Sequence, residues 1–152
     1  MFVHPVTGAK FFIGDEAAAM NLKVLEKCQI FRVVNAKGDS GTNYHEKDKR
    51  FEYFRFGVHL GWCSNSHEEV LKFFAPVHQF IDENLEAGKN VMVHCLAGAH
   101  RAGTTGVSYL MKAGNLGYIQ ARQVAKSRRP VVDPLAKLEE LLYKLEAAYE
   151  FQ

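Results

Sequence analysis

The stretch Asn90-Val91-Met92-Val93-His94-Cys95-Leu96-Ala97-Gly98-Ala99-His100-Arg101 decides how this chain folds. Its first five residues form a short, mostly apolar run of the kind that makes a buried strand. A loop of small residues containing Gly98 follows at once, and from Arg101 to about Ala113 the pattern is helical. Strand, tight loop and helix in direct succession are the unit from which parallel sheets are assembled. Ligands of such sheets bind beyond the carboxyl ends of strands, and Cys95 stands at such an end.

Working outward, the same alternation repeats. Lys10 to Ile13 reads as a strand ended by Gly14, and Asp15 can cap a helix running to about Lys27 with Leu22, Val24 and Leu25 on its inner face. Ile30 to Val34 is β-rich and apolar enough to be buried. Residues 35–50 turn polar, with Gly38, Asp39, Ser40, Gly41 and Asn43 marking a surface loop in which His45 is solvated. Phe51 to Val58 alternates as a strand would. His67 to Ala87 carries Val70, Leu71, Phe74, Val77, Phe80, Ile81 and Leu85 at helical spacing, with a kink expected at Pro76 and a stop at Gly88. Two more helices are expected over Tyr118–Arg128 and Pro134–Tyr149. In the last, the stripe Leu138, Leu141, Leu142 and Leu145 fits docking onto the domain, being too short for a coiled coil. The expected architecture is α/β, with a mostly parallel central sheet flanked by helices on both faces and the Cys95 loop between a strand and a helix. With no repeat, low-complexity tract or linker, residues 1–152 read as a single domain.

Composition narrows the function. A chain that is 47% hydrophobic can bury a sizeable core, and no apolar run approaches the roughly 20 residues of a membrane span. The first residues lack the charged, apolar and small order of a secretion signal. A net charge of +2 suits a protein that meets phosphate at one site and gives no basis for nucleic-acid binding. Cys28, Cys63 and Cys95 are odd in number and have no CxxC spacing, which speaks against a disulfide framework or structural zinc and for a reducing cytoplasm or nucleus.

The chemistry resides in the loop. A chain that turns through Leu96, Ala97, Gly98, Ala99 and His100 into a helix can aim successive N–H groups inward as an anion-binding nest, and the helix N-terminus adds positive potential. That field favours thiolate over thiol at Cys95. Arg101 can hold two phosphate oxygens with its planar fork, which a lysine cannot. Gly98 gives the backbone room for close approach or a positive φ.

His-Cys-x-x-Gly-x-x-Arg resembles the active loop of the protein tyrosine and dual-specificity phosphatases, and here it reads HCLAGAHRAGT. The likeness extends to Phe31-Arg32-Val33-Val34-Asn35-Ala36, to Phe80-Ile81-Asp82, to Tyr109-Leu110-Met111, and to Arg129-Pro130 followed by Pro134. The resemblance is to the small dual-specificity enzymes and covers most of the chain. It implies that Cys95 is the nucleophile that becomes phosphocysteine, that Arg101 and the amides of Leu96 to Arg101 bind the phosphoryl group, and that His94 orients the loop and tunes the thiolate. It implies no cofactor and no metal, since thiolate, amides and arginine do what a cation would do. The implied partner is a phosphorylated protein or peptide, with phosphate or sulfate as the anion the loop takes.

Two departures bear on mechanism. The family places a general-acid Asp in a loop roughly thirty residues before the cysteine. Counting back lands on Ser64, and no Asp lies between Lys49 and Ile81. Ser64 and His59 are the nearest weak candidates; His67, Glu68 and Glu69 read better as loop and helix-cap residues. The family also carries Ser or Thr directly after the arginine, where Ala102 stands, and Thr104 on a helix points to another face. Retention of Cys95 and Arg101 favours an enzyme acting on phosphotyrosine. The alternative is a catalytically weak pseudophosphatase that binds phosphorylated partners. The absence of lysine within the loop argues against inositol lipids, and His100 stands where the glucan phosphatases have glycine. Pairing of Cys63 with Cys95 under oxidation is outweighed by a plain thiol.

Overall fold

The computed structural model describes residues 2–152. It contains strands β1 (Phe2–Val3), β2 (Lys10–Gly14), β3 (Ile30–Asn35), β4 (Glu52–Arg55) and β5 (Asn90–His94). The helices are α1 (Glu16–Met20), α2 (Leu22–Lys27), α3 (His67–Glu86), α4 (Arg101–Gly114), α5 (Tyr118–Arg128) and α6 (Lys137–Glu150).

The five strands form one sheet in the order β1-β2-β5-β3-β4. β2, β5, β3 and β4 run parallel, while β1, which the sequence pattern did not reveal, adds antiparallel to β2. The sheet is therefore mixed and mostly parallel. β5 lies at its centre because it is apolar on both sides. Val91 and Val93 face the layer built by α3, α4 and α6, whereas Met92 faces Leu25 and Ala19 under α1 and α2. β2 repeats the alternation with Phe11 and Ile13 on one side and Phe12 on the other. This two-sided burial is what a parallel sheet demands.

Four sequence expectations need correction. The helix expected from Asp15 to Lys27 is two helices, because the Asn21 side chain caps the Val24 N–H and starts a second one. Of its expected inner face, Leu25 is fully buried and Leu22 partly, but Val24 is 40% exposed. The strand expected over Phe51–Val58 is limited to Glu52–Arg55, after which Val58–Cys63 coils into a 3-10 helix. The last helix starts at Lys137 rather than Pro134. α3 matches its expected span and continues as one helix through Pro76. Pro76 and Lys72 are both exposed, so the carbonyl deprived of its helix donor faces water. The α6 stripe docks as expected, with Leu141, Leu142 and Leu145 buried.

Candidate active site

The loop between β5 and α4 is held by its carbonyls. His94 O accepts from the Ala36 amide at 2.9 Å, Leu96 O from the Glu16 amide at 3.1 Å and Ala99 O from the Asp133 amide at 2.8 Å. Arg129 binds two more, donating from Nη2 to Ala97 O at 3.0 Å and from Nε to Gly98 O at 3.3 Å. His100 O takes the Thr104 amide at 2.8 Å and the Thr104 hydroxyl at 2.6 Å. With these carbonyls committed to the scaffold, the amides of Leu96 to Arg101 have no protein acceptor among the described residues. Unpaired N–H groups in succession at a helix start constitute a nest for an anion.

Gly98 makes the turn feasible. Its φ is +68°, and a Cβ there would lie 2.6 Å from the Gly14 carbonyl oxygen and 2.7 Å from Arg129 Nη2. Glycine is required twice over, for the left-handed backbone and for the close approach to β2.

Cys95 lies at the base of this loop, only 3% exposed. Arg101, the first residue of α4, is half-buried and enters no ion pair or side-chain hydrogen bond among the described residues. Its guanidinium is uncommitted. His94 is fully buried, and neither ring nitrogen has a hydrogen-bond partner among the described residues. Burial pushes its pKa down to about 4, against a smaller opposing pull from Glu16, so the imidazole beside Cys95 is neutral at pH 7. Glu16 is itself held below the ordinary carboxylate range, chiefly by the Tyr44 hydroxyl that donates to it, with Lys37 Nζ 3.3 Å away. His100 reaches from its ring Nδ1 to Asp133 O at 2.8 Å.

The weak general-acid candidates are separated. Ser64 is buried, with its amide bonded to Gly61 O and its carbonyl to Lys144 Nζ. His59 is exposed and lines a groove of about 350 Å³ together with Lys37, Asp39, Ser40 and Arg55. That groove begins one residue past Ala36, whose amide holds the carbonyl before Cys95. Asp39 is thus a carboxylate near the carboxyl edge of the sheet, outside the 49–81 segment. Its signal was the Gly-Asp-Ser turn directly after Val34-Asn35-Ala36. Arg129 clamps the loop, a role that the Arg129-Pro130 pair does not disclose in the sequence. Ala102 is fully buried on the first turn of α4, and the Thr104 hydroxyl is spent on His100 O. Among the described residues no group of three His, Cys, Asp or Glu side chains is placed to hold a metal ion.

Sheet, loop and arginine together define the cysteine-dependent protein tyrosine phosphatase superfamily. The family model for the dual specificity phosphatase catalytic domain matches residues 11–148, and the chain belongs to that family. It is 31% identical over 140 residues to serine/threonine/tyrosine-interacting protein B of Xenopus laevis, covering 91% of this chain and 62% of that protein. It is 31% identical over 123 residues to human dual specificity protein phosphatase 9, covering 81% of this chain and 31% of that one. The chain thus spans less than two thirds of the length of these relatives. Among solved structures, human DUSP28 superposes with a TM-score of 0.81 at 23% identity, covering 96% of this chain and 97% of that one. A mouse protein solved in complex with zinc tungstate gives 0.76 at 24% identity, covering 93% of this chain and 85% of that one.

Proposed function

We propose that this protein hydrolyses phosphotyrosine in phosphorylated proteins through a phosphocysteine intermediate. The observation that carries the reading is the loop in which unpaired amides and the uncommitted Arg101 surround a buried cysteine. The Cys95 sulfur attacks phosphorus, the bond to the tyrosine oxygen breaks, and that oxygen leaves and takes up a proton. Water then attacks the phosphocysteine, releasing inorganic phosphate and regenerating the thiolate. The Leu96 to Arg101 amides and the bidentate guanidinium hold the three equatorial oxygens in both steps. Tungstate, which accompanies the mouse neighbour, is a tetrahedral oxyanion like phosphate and fits the same chemistry. Three free cysteines suit a reducing cytoplasm or nucleus.

A second reading has its own support. Relatives named serine/threonine/tyrosine-interacting protein align over most of the chain, and Ala102 offers no hydroxyl to assist loss of the phosphate from sulfur. A protein that binds phosphorylated partners and turns over weakly would show these features. Turnover of p-nitrophenyl phosphate by the wild type and the Cys95→Ser variant separates the two. The enzyme gives steady-state product that Cys95→Ser abolishes while leaving phosphate binding intact. Binding by both proteins with turnover by neither supports the second reading.

A further inference from the structure

A cavity lies away from the Cys95 loop, at the opposite, amino-terminal end of the sheet. It measures about 810 Å³. Asn90 on its edge and Cys95 are five residue steps apart along β5, roughly 17 Å at about 3.3 Å per residue. Its walls are the turns that lead into β2, β3 and β5. Each turn reverses through one left-handed residue: Gly8 at φ +75°, Gln29 at φ +54° and Gly88 at φ +78°. Gln29 and Gly88 follow the C-caps of α2 and α3, where a left-handed residue is an ordinary helix ending, so the preceding helices set both turns. Asn90 ties two of the turns together, accepting from the Lys10 amide at 2.7 Å and donating to Cys28 O at 2.9 Å.

The lining is amphipathic with one sign of charge. Lys10, Lys27 and Lys89 contribute to it and no carboxylate does. None of the three lysines is in an ion pair among the described residues, whereas nearby Glu26 is engaged by Arg50. Phe12 and Phe31, both partly buried, supply an aromatic wall. A volume between roughly 300 and 1,000 Å³ with apolar walls and a few placed charges is the ordinary form of a small-molecule site. Unpaired lysines around it raise the local concentration of anions.

We propose that this cleft binds a small organic anion, an aromatic or apolar body carrying a phosphate, sulfonate or carboxylate, at a site separate from the Cys95 loop. The body lies against Phe12 and Phe31 and the anionic group meets Lys10, Lys27 and Lys89. The proposal stands whether or not Cys95 is a catalyst.

Amide NMR of the intact chain titrated with naphthalene-1-sulfonate tests it, because the readout is residue-specific. The amides of Lys10, Gln29 and Lys89 are expected to shift saturably, with an affinity that falls as salt is raised. Lys27→Glu combined with Lys89→Glu is expected to weaken binding at these amides at least tenfold, with thermal stability and p-nitrophenyl phosphate turnover unchanged. Methanesulfonate, which lacks the ring, is expected to bind at least tenfold more weakly. Shifts confined to the Leu96–Arg101 amides, shifts at the cleft that survive the double charge reversal, or equal binding of methanesulfonate would each overturn the assignment.

Discussion

Replacing Gly98 by alanine distinguishes a site made by backbone geometry from one made by loop composition. The left-handed backbone costs a non-glycine residue roughly 1–2 kcal/mol. The added Cβ would also sit 2.6 Å from the Gly14 carbonyl oxygen, and a contact with backbone on β2 is relieved only by moving the loop, at about 1 kcal/mol more. The total of about 2–3 kcal/mol should lower Tm by roughly 4–12 °C in a domain of this size. Because the moved segment carries the amides proposed to hold phosphate, kcat/KM for p-nitrophenyl phosphate should fall on the order of 100-fold. Gly88→Ala is the control, since Gly88 also has positive φ (+78°) but a Cβ there meets nothing within 4 Å. It should lose only the conformational term, roughly 1–2 kcal/mol, and keep full kcat/KM. Calorimetry and steady-state kinetics on both variants suffice. Gly98→Ala with kcat/KM within twofold of wild type would show that the site does not depend on the Gly98 turn.

Arg129→Ala removes the donors to Ala97 O and Gly98 O, and should lower kcat/KM by about 10–100-fold with Tm changed by less than roughly 4 °C; Arg129→Lys, which has one donor group instead of a fork, should recover only part of it. Acid should destabilise the fold through its buried histidines: burial lowers His94 to about 4 and His78 to about 3, so between pH 6.5 and those values the unfolded chain binds protons the folded one refuses, and stability rises with pH across that window. Urea denaturation at pH 5 against pH 7 should show a loss of about 2 kcal/mol per histidine, halved in His78→Gln, whose ring otherwise bonds Ser108 Oγ at 2.9 Å. With no aspartate in the 49–81 segment to protonate the leaving oxygen, matched phosphopeptides should be cleaved at tyrosine at least about 1,000-fold faster than at serine, because each unit of leaving-group basicity costs up to about 1.4 kcal/mol. Comparable rates would identify a working proton donor, and loss of the serine activity in Asp39→Asn or His59→Asn would say which side of the groove supplies it.

The central β5-loop-α4 unit, the parallel character of the sheet and the candidate roles of Cys95, Arg101 and Gly98 are legible along the chain. These are local features: a run of apolar residues, a glycine at a turn and a helix start are set by neighbours along the chain. Boundaries went astray where a single side chain overrode periodicity, as when Asn21 restarted the helix, and β1 is too short to carry a pattern. Which distant groups complete the candidate site emerges only once the chain is folded. Arg129 reaches the loop from beyond α5, Glu16 meets it from the start of α1, Asp39 and His59 come to share a groove, and His94 is rendered neutral by a core built from both layers. Hydrogen bonds and desolvation depend on distance in space, and separations of tens of residues along the chain leave no periodic trace of either.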